Sequence, residues 1–486
     1  MFRIGRDEEL SNEVLLAFIQ EHEADARRFE RLKNQYITNP PILHKEDNEP
    51  WKPDDRIPVN FGRYIVDTFN GFFNGVPMKV SHADDDINAF IREFWRTNNM
   101  DNTLNELAKT TSIYGRGYLY VYQNEYAQTE VAYSEPFDMF VIYTDDIRPK
   151  SLYGVRYTKG DDGVYRGQLF TSEQEFEFTL TARDLNLDVP RDEFGNERGQ
   201  LYYGRIPIIE FIENEQRTSL IEPVEAQINT YNRVLSEKSN DVSYFSDAYL
   251  SILGAKLDDD SIERLKNDRI IALDGRDSQN VTIEFLEKPD ADQTQENLLD
   301  RLEKLIFQTS MVVNLNDDKA GNSLESSGVA LARKEQPMAN MASNKEHKFT
   351  QSLQTLFGMI FNVVGNVSPT VRDEYINIKF DWYRNLPAND ADEAETVKRL
   401  DGIVSRRQQL EMLSSVSDVE EELSRQIDEH IELGNRDESQ IDEHIELGNI
   451  EESQIEEHIE ERQLTDSEIK RLEDLGKLND VLDGKL

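Results

Sequence analysis

One stretch constrains the fold more than any other: YGRIPIIEFIENEQRTSLIEPVEAQINTYNRVLSEKSNDVSYFSDAYLSILG, from Tyr203 to Gly254. Ile206, Ile208, Ile209 and Phe211 are β-prone and apolar around Pro207, which places a strand start or an edge there, because proline cannot donate to a ladder. Glu222 and Pro223 then open a helix, since proline is pre-shaped for the first turn and the acid complements the positive end of the dipole. Val224, Ile228, Tyr231, Leu235, Val242 and Phe245 step by 4, 3, 4, 7 and 3, the helical period. A helix from Pro223 to Asp247 would be about 37 Å long, above the usual globular length and suited to crossing or lining something.

Around it the chain reads as α+β. Ser11 to Tyr36 is a charged helix with Leu15, Ile19, Ala24 and Phe29 as apolar points, stopped by Pro40 and Pro41. Phe61 to Phe73 is a second, closed by Asn74 and Gly75; Ile87 to Phe94 and Leu104 to Ile113 are two more. Beyond Gly115, strands are expected at Tyr118–Gln123, Glu130–Tyr133, Phe140–Tyr143, Leu152–Tyr157, Gly167–Phe170 and Glu175–Thr179. After the long helix, Tyr249–Leu253, Ile270–Leu273 and Val281–Leu286 read as strands and Asp260–Lys266 as a short helix. Gln293 to Thr309 is helical, with Leu298, Leu302, Leu305 and Ile306 on one face.

The segment from Asn314 to Ser327 is polar, with Gly321 giving backbone freedom, and by itself reads as a surface loop. From Ser327 to Val364 the pattern is helical around Pro337. Proline removes one helical hydrogen bond, so either the helix kinks near Arg333–Pro337 or two helices meet there. Tyr375 to Trp382 alternates as a strand, and residues 385–392 are a linker. The tail repeats with period 14 from Gln426, Gln440 and Gln454, each unit pairing two isoleucines four apart on one helical face. Short helices joined by Gly-Asn turns are expected, with one continuous helix as the alternative. Asp418 to Arg462 carries 18 acidic against 3 basic residues. His430, His444 and His458 recur with the repeat; flanked by glutamates, they read as solvated or packed side chains before metal ligands or a pH switch.

These segments carry a family resemblance. The run from Ile206 to Gly254 is similar to the end of the wing and first stem helix of portal proteins from long-tailed double-stranded DNA bacteriophages. Arg56 to Met78 and Asn98 to Glu125 resemble that family's N-terminal motifs, and Gly321 to Phe357 its tunnel loop and following helix; the matches are collinear over roughly residues 20 to 390. The resemblance implies a wing over 1–221, a first stem helix over 222–247, a clip over 248–291 and a second stem helix over 292–311. A tunnel loop (312–327), a long kinked helix (328–366), a return to the wing (367–388) and an acidic helical crown (389–486) would follow. Val224, Ile228, Tyr231 and Leu235 would pack on neighbouring stem helices, including those of adjacent subunits, leaving Glu237, Lys238 and Asp241 for the bore or solvent. Asn316, Asp317, Asp318, Lys319, Gly321, Asn322 and Ser323 would project toward DNA. Lys319, the only cation between Lys304 and Arg333, would touch phosphate transiently while Asp317 and Asp318 oppose retention.

By the same resemblance the expected role is a structural head–tail connector ring, a dodecamer. It would sit in the virion at one capsid vertex, after assembly in the host cytoplasm, and pass double-stranded DNA without sequence specificity. Its partners would be the terminase large subunit, scaffold and major capsid protein, and a head-completion adaptor. A connector or minor head protein acting only by docking is the alternative, and a metal-dependent nuclease a remote one.

Composition bears on these readings. The chain has 486 residues, 96 acids against 54 bases and no cysteine, so disulfides and thiolate metal sites are excluded. A net charge of −42 argues against sequence-specific DNA binding, which needs clustered Lys and Arg. It describes either a solvated surface or a conduit whose acidic walls repel phosphate within about 8 Å. No secretion signal or membrane span is read. The phosphate-cradling G-x-x-x-x-G-K-[ST] loop is absent, and the Glu-x-Lys triplets at Glu346 and Glu468 are expected by chance in such a composition. No enzymatic activity, cofactor or metal is expected.

Overall fold

Phe2–Ile4 forms β1 and Asn12–Tyr36 forms α1, whose N-terminus is capped by the Ser11 hydroxyl accepting from the Val14 N–H at 3.3 Å. Then come α2 (Phe61–Asn74), β2 (Lys79–Ser81), α3 (Asp85–Thr97) and α4 (Met100–Tyr114). Eight strands follow: β3 (Arg116–Gln123), β4 (Thr129–Ser134), β5 (Met139–Thr144), β6 (Ser151–Lys159), β7 (Tyr165–Phe170), β8 (Glu175–Leu180), β9 (Leu185–Asp188) and β10 (Ile208–Ile212). A 3-10 turn at Glu222–Val224 opens α5 (Glu225–Ser246), followed by β11 (Leu250–Leu253), β12 (Thr282–Phe285), α6 (Asp292–Ser310), α7 (Gly328–Asn362) and β13 (Lys379–Asp381).

This computed structural model describes residues 1–246, 250–253, 282–285, 292–314, 328–384 and 390–413, except positions 7, 50, 51, 192, 193, 196, 198 and 401, together with 416, 422, 423, 425 and 426. Met1–Leu386 is one unit and Pro387–Leu486 a second. In the second, the helices Asp390–Arg399 and Arg406–Glu411 are described, the latter capped by Ser405. The 14-residue repeats beyond their first residue, Gln426, their histidines and the elements expected at 260–273 lie outside the described residues.

The fold is α+β. A six-stranded sheet runs β1-β5-β6-β7-β8-β9, with β1 parallel to β5 and the other pairs antiparallel. A second, three-stranded sheet runs β10-β3-β4, and β13 pairs with β2. Side chains alternate across a strand, so β5 serves two cores at once. Phe140 and Ile142 pack under α1 with Leu15 and Ile19, while Met139 and Val141 meet Tyr118 and Ile208 of the second sheet and Ile206 just before it. The largest core joins α2, α3, α4 and α7. On α7 the buried positions Met338, Ala342, Lys345, Phe349, Leu353, Leu356 and Ile360 recur every three or four residues, a stripe of the helical period that one lysine interrupts.

Several details differ from the sequence expectation. On α1 the buried position is His22, not Ala24, which is exposed. Leu298 is also exposed; the packed face of α6 is Leu299, Leu302 and Ile306. Residues 375–377 belong to a 3-10 turn rather than a strand, because Tyr375 packs its ring over Gly358, and pairing is confined to Lys379–Asp381. The helix around Pro337 is one element, Gly328–Asn362, not two.

His22 has a consequence for pH. Its ring lies between the Tyr157 hydroxyl at 2.8 Å and the Pro136 carbonyl at 3.1 Å, in a fully buried position. Burial, with the Arg116 charge second, lowers its pKa from 6.5 to about 4. The unfolded chain therefore binds the extra proton first, between about pH 6.5 and 4, and stability falls as the pH drops through that window. The expected contribution is about 3 kcal/mol, lost by pH 4. Chemical denaturation at pH 7 and pH 4.5 tests it: His22→Gln should flatten that part of the profile, and an unchanged slope would refute it.

Candidate functional site

The long helix α5 is held at its root by matched polar side chains on α1. Arg28 grips Glu222 through both carboxylate oxygens at 2.5 Å, Arg31 meets Glu225 at 2.9 Å, and Gln35 donates to Asn229 at 2.8 Å. The spacing is three and then four residues on both sides, so the two helices run alongside in parallel. Burial pushes the Glu222 carboxyl up, but the Arg28 bonds and the Ser219 N–H hold it below its ordinary value.

Next to this root lies a buried charge network. Glu210 of β10 accepts from Arg217 at 2.9 and 2.6 Å and from the Tyr143 hydroxyl at 2.8 Å, with Arg116 at 3.9 Å. Arg116 also pairs with Asp25 of α1. Burial alone would raise the Glu210 carboxyl; the two guanidinium groups overcome it and keep the group below its usual pKa. The network ties both sheets and α1 to the turn at 213–218 that leads into α5.

Along its middle, α5 receives an extended segment. The N–H groups of Asp55, Ile57 and Val59 donate to the side-chain oxygens of Asn240 (2.6 Å), Ser236 (2.9 Å) and Asn232 (2.9 Å). Two residues of extended chain rise about 6.6 Å and four helical residues about 6 Å, so alternate N–H groups meet successive turns. The inward face of α5 is thus partly polar: Asn232 and Ser236 are buried beside Val224, Ile228 and Val234. Val224 and Ile228 sink into the chain's own core, Tyr231 packs against it and Leu235 is half-buried. Val242, expected on the apolar stripe, is exposed at 57 %.

Helix α6 packs antiparallel on α5. Lys238 pairs with Glu296, Asp241 accepts from Gln295 at 3.4 Å, and Phe307 stacks edge-on against Phe61 and Tyr64. Lys238 and Asp241 are therefore engaged between the helices, while Glu237 is exposed. The chain leaves α6 through Met311 in the left-handed region (φ 60°), buries Val312, and is fixed by Asn314 donating to Glu303 at 3.0 Å. Asn316, Asp317, Asp318, Lys319, Gly321, Asn322 and Ser323 lie outside the described residues. Among the described residues no cluster of His, Asp or Glu fits a metal, and no helix is long and apolar enough to cross a membrane.

Helix α7 is pinned from inside. Lys345, fully buried, places its ammonium 2.6 Å from Glu213 and donates to the Ala108 carbonyl and the Ser112 hydroxyl, each at 2.8 Å. The rings of Phe69, Phe73 and Phe349 lie 4.9–5.4 Å from it. Burial lowers its pKa and the Glu213 charge opposes that shift. Sequence reading passed over this lysine; its signal is a charge at a core position of a helical period.

With this arrangement in view, comparison is decisive: the model of a family described as phage portal protein, SPP1 Gp6-like, matches residues 16–434. The chain belongs to this portal protein family. As a portal protein it has relatives that carry the same name. A relative named portal protein from Bacillus phage SPP1 is 21% identical over 388 residues, covering 77% of this chain and 76% of the relative. Another portal protein, from Clostridium phage phiCD119, is 22% identical over 416 residues, covering 80% and 88%. Solved chains described as the neck of a native GTA particle with C12 symmetry and of an empty one with C6 symmetry overlay at TM-scores of 0.43 and 0.42, with 12% and 11% identity. They cover 80% and 79% of this chain and 93% and 92% of those chains, at scores too low to bear on the fold.

Proposed function

We propose that this portal protein assembles head to tail into a closed dodecameric ring at one capsid vertex, through heterologous interfaces, and that the ring passes double-stranded DNA during packaging and ejection. The observation that carries the reading is family membership across 16–434 of the 486 residues. In this reading 222–247 and 292–311 are stem helices, 248–291 the clip, 328–366 a helix bent at Pro337, and 389–486 the crown. Residues 1–221 and 367–388 form the wing. With Val224 and Ile228 taken up inside the subunit, Leu235 and the apolar positions beyond it are left to meet adjacent subunits. Asn316, Asp317, Asp318, Lys319, Gly321, Asn322 and Ser323 form the tunnel loop, where weak contact through Lys319 lets DNA slide. The ring performs no bond chemistry and docks the terminase large subunit, then a head-completion adaptor, after assembly with scaffold and capsid protein in the host cytoplasm.

Electron microscopy of the purified full chain tests the assembly: class averages should show closed twelve-fold rings with an axial hole, and monomers or open filaments alone would overturn it. Lys319→Glu tests the loop within intact rings. Packaging velocity or DNA retention should change; if neither does, Lys319 has no role in the bore.

A further inference from the structure

The region between α3 and β2 holds an open cleft of about 440 Å³ that none of the assignments above uses. Its floor is apolar: Met78 and Ile91 are buried, Val80 and Trp95 half-buried. Its rim carries Lys79, Arg92 and Arg96. The Trp95 ring is oriented by its indole N–H donating to Asp101 at 2.7 Å. Strand β2, one wall of the cleft, pairs with β13 and has no other strand partner among the described residues.

Arg92 and Arg96 are among the described arginines whose guanidinium groups have no partner, and they are the two that sit together on the rim of this cleft. Arg28, Arg56, Arg116, Arg166, Arg217 and Arg384 each meet a carboxylate. The guanidinium groups of Arg92 and Arg96, one helical turn apart and exposed, make no hydrogen bond or ion pair among the described residues. In a chain of net charge −42, carboxylates for them are abundant, yet α3 leaves both open. Lys79 lies over the Tyr383 ring at 5.7 Å.

We propose that this cleft is a docking site for a short acidic segment of a partner protein, with an apolar side chain seated over Ile91 and Trp95 and flanking carboxylates on Arg92 and Arg96. Guanidinium forks match carboxylates in two-point geometry, and a concave apolar floor beneath them selects a side chain between the charges. A DNA backbone fits less well. Appreciable duplex affinity takes several phosphate contacts, whereas this rim offers three cations beside Asp101 on a strongly acidic chain.

The test is fluorescence anisotropy on the full chain with a labelled nine-residue peptide carrying four glutamates around a central leucine. Saturable binding is expected, with quenching of tryptophan emission that Trp95→Phe abolishes. Arg92→Gln with Arg96→Gln should weaken binding at least about tenfold, and the effect should shrink at high salt. Both side chains are exposed, so these variants keep their fold; circular dichroism checks that they do. Equal binding of a peptide with glutamine for glutamate would overturn the proposal. So would unchanged affinity in the double variant, or binding of a duplex oligonucleotide and not the peptide.

Discussion

Replacing Lys345 by methionine should destabilise the Met1–Leu386 unit by about 3–5 kcal/mol, the cost of leaving a buried carboxylate without its partner. Glu213 is only 4% exposed at its side chain, and besides Lys345 it has the hydroxyls of Thr111 at 3.1 Å and Ser112 at 3.2 Å. Two neutral donors do not offset a full charge in a site walled by phenylalanines. Pairing Lys345→Met with Glu213→Leu should return most of the loss, since a buried ion pair exchanged whole for apolar groups is often close to neutral. Urea denaturation of the three proteins decides it. A double variant as unstable as the single would mean that packing around the lysine stem, not its charge, holds α7 to α4.

The second large effect is expected at Gly115. It ends α4 with φ 85°, its N–H donates to Thr111 at 2.7 Å and its carbonyl accepts from Glu213 at 3.0 Å. A Cβ here would sit 2.0 Å from the Arg217 carbonyl oxygen. Alanine therefore carries about 1 kcal/mol of left-handed strain and about 1–3 kcal/mol of crowding against backbone that has to move. The backbone that moves is the turn bearing both Glu213 and Arg217, so the loss spreads to Lys345 and Glu210. Gly163 separates the two terms: its φ is 74° with nothing within 4 Å of the added carbon. Gly163→Ala should cost only the strain. If Gly115→Ala costs no more than Gly163→Ala, the close approach is not what requires glycine.

These cases show what could be read from the residues. Helices with a strong period, such as α1, α2 and α6, were legible because burial imposes the spacing. The strands from β3 to β8 were legible because turn residues separate them. Strand β1 was not: three residues long, it exists only through its parallel pairing with β5, some 140 positions away. Hydrophobicity alone does not find the polar side chains buried on three helices. His22 lies inside because both ring nitrogens find partners, and Asn232 and Ser236 do because they serve another segment's backbone. Lys345 does because a carboxylate waits for it. A polar residue in a core is recognisable only once its partner is known, and all of these partners are remote in sequence. The tunnel-loop residues are legible as a polar segment, but nothing in their own pattern distinguishes a bore from open solvent.

The segment laid along α5 bears on how that helix can move. Its three N–H groups engage acceptors one turn apart, and the segment is anchored where it enters α2 by Asn60, which accepts from Arg63 at 2.8 Å and donates to the Tyr36 carbonyl at 2.9 Å. A slide of about 3 Å along the axis would carry every acceptor away from its donor at once, whereas the acceptors themselves recur only every four residues, about 6 Å. The mismatch of about 0.6 Å per step blurs this only slightly over three contacts. These three contacts therefore fix the axial register of α5 against its neighbouring segment, in addition to the ion pairs at its root, and a small slide along the axis would break all three together.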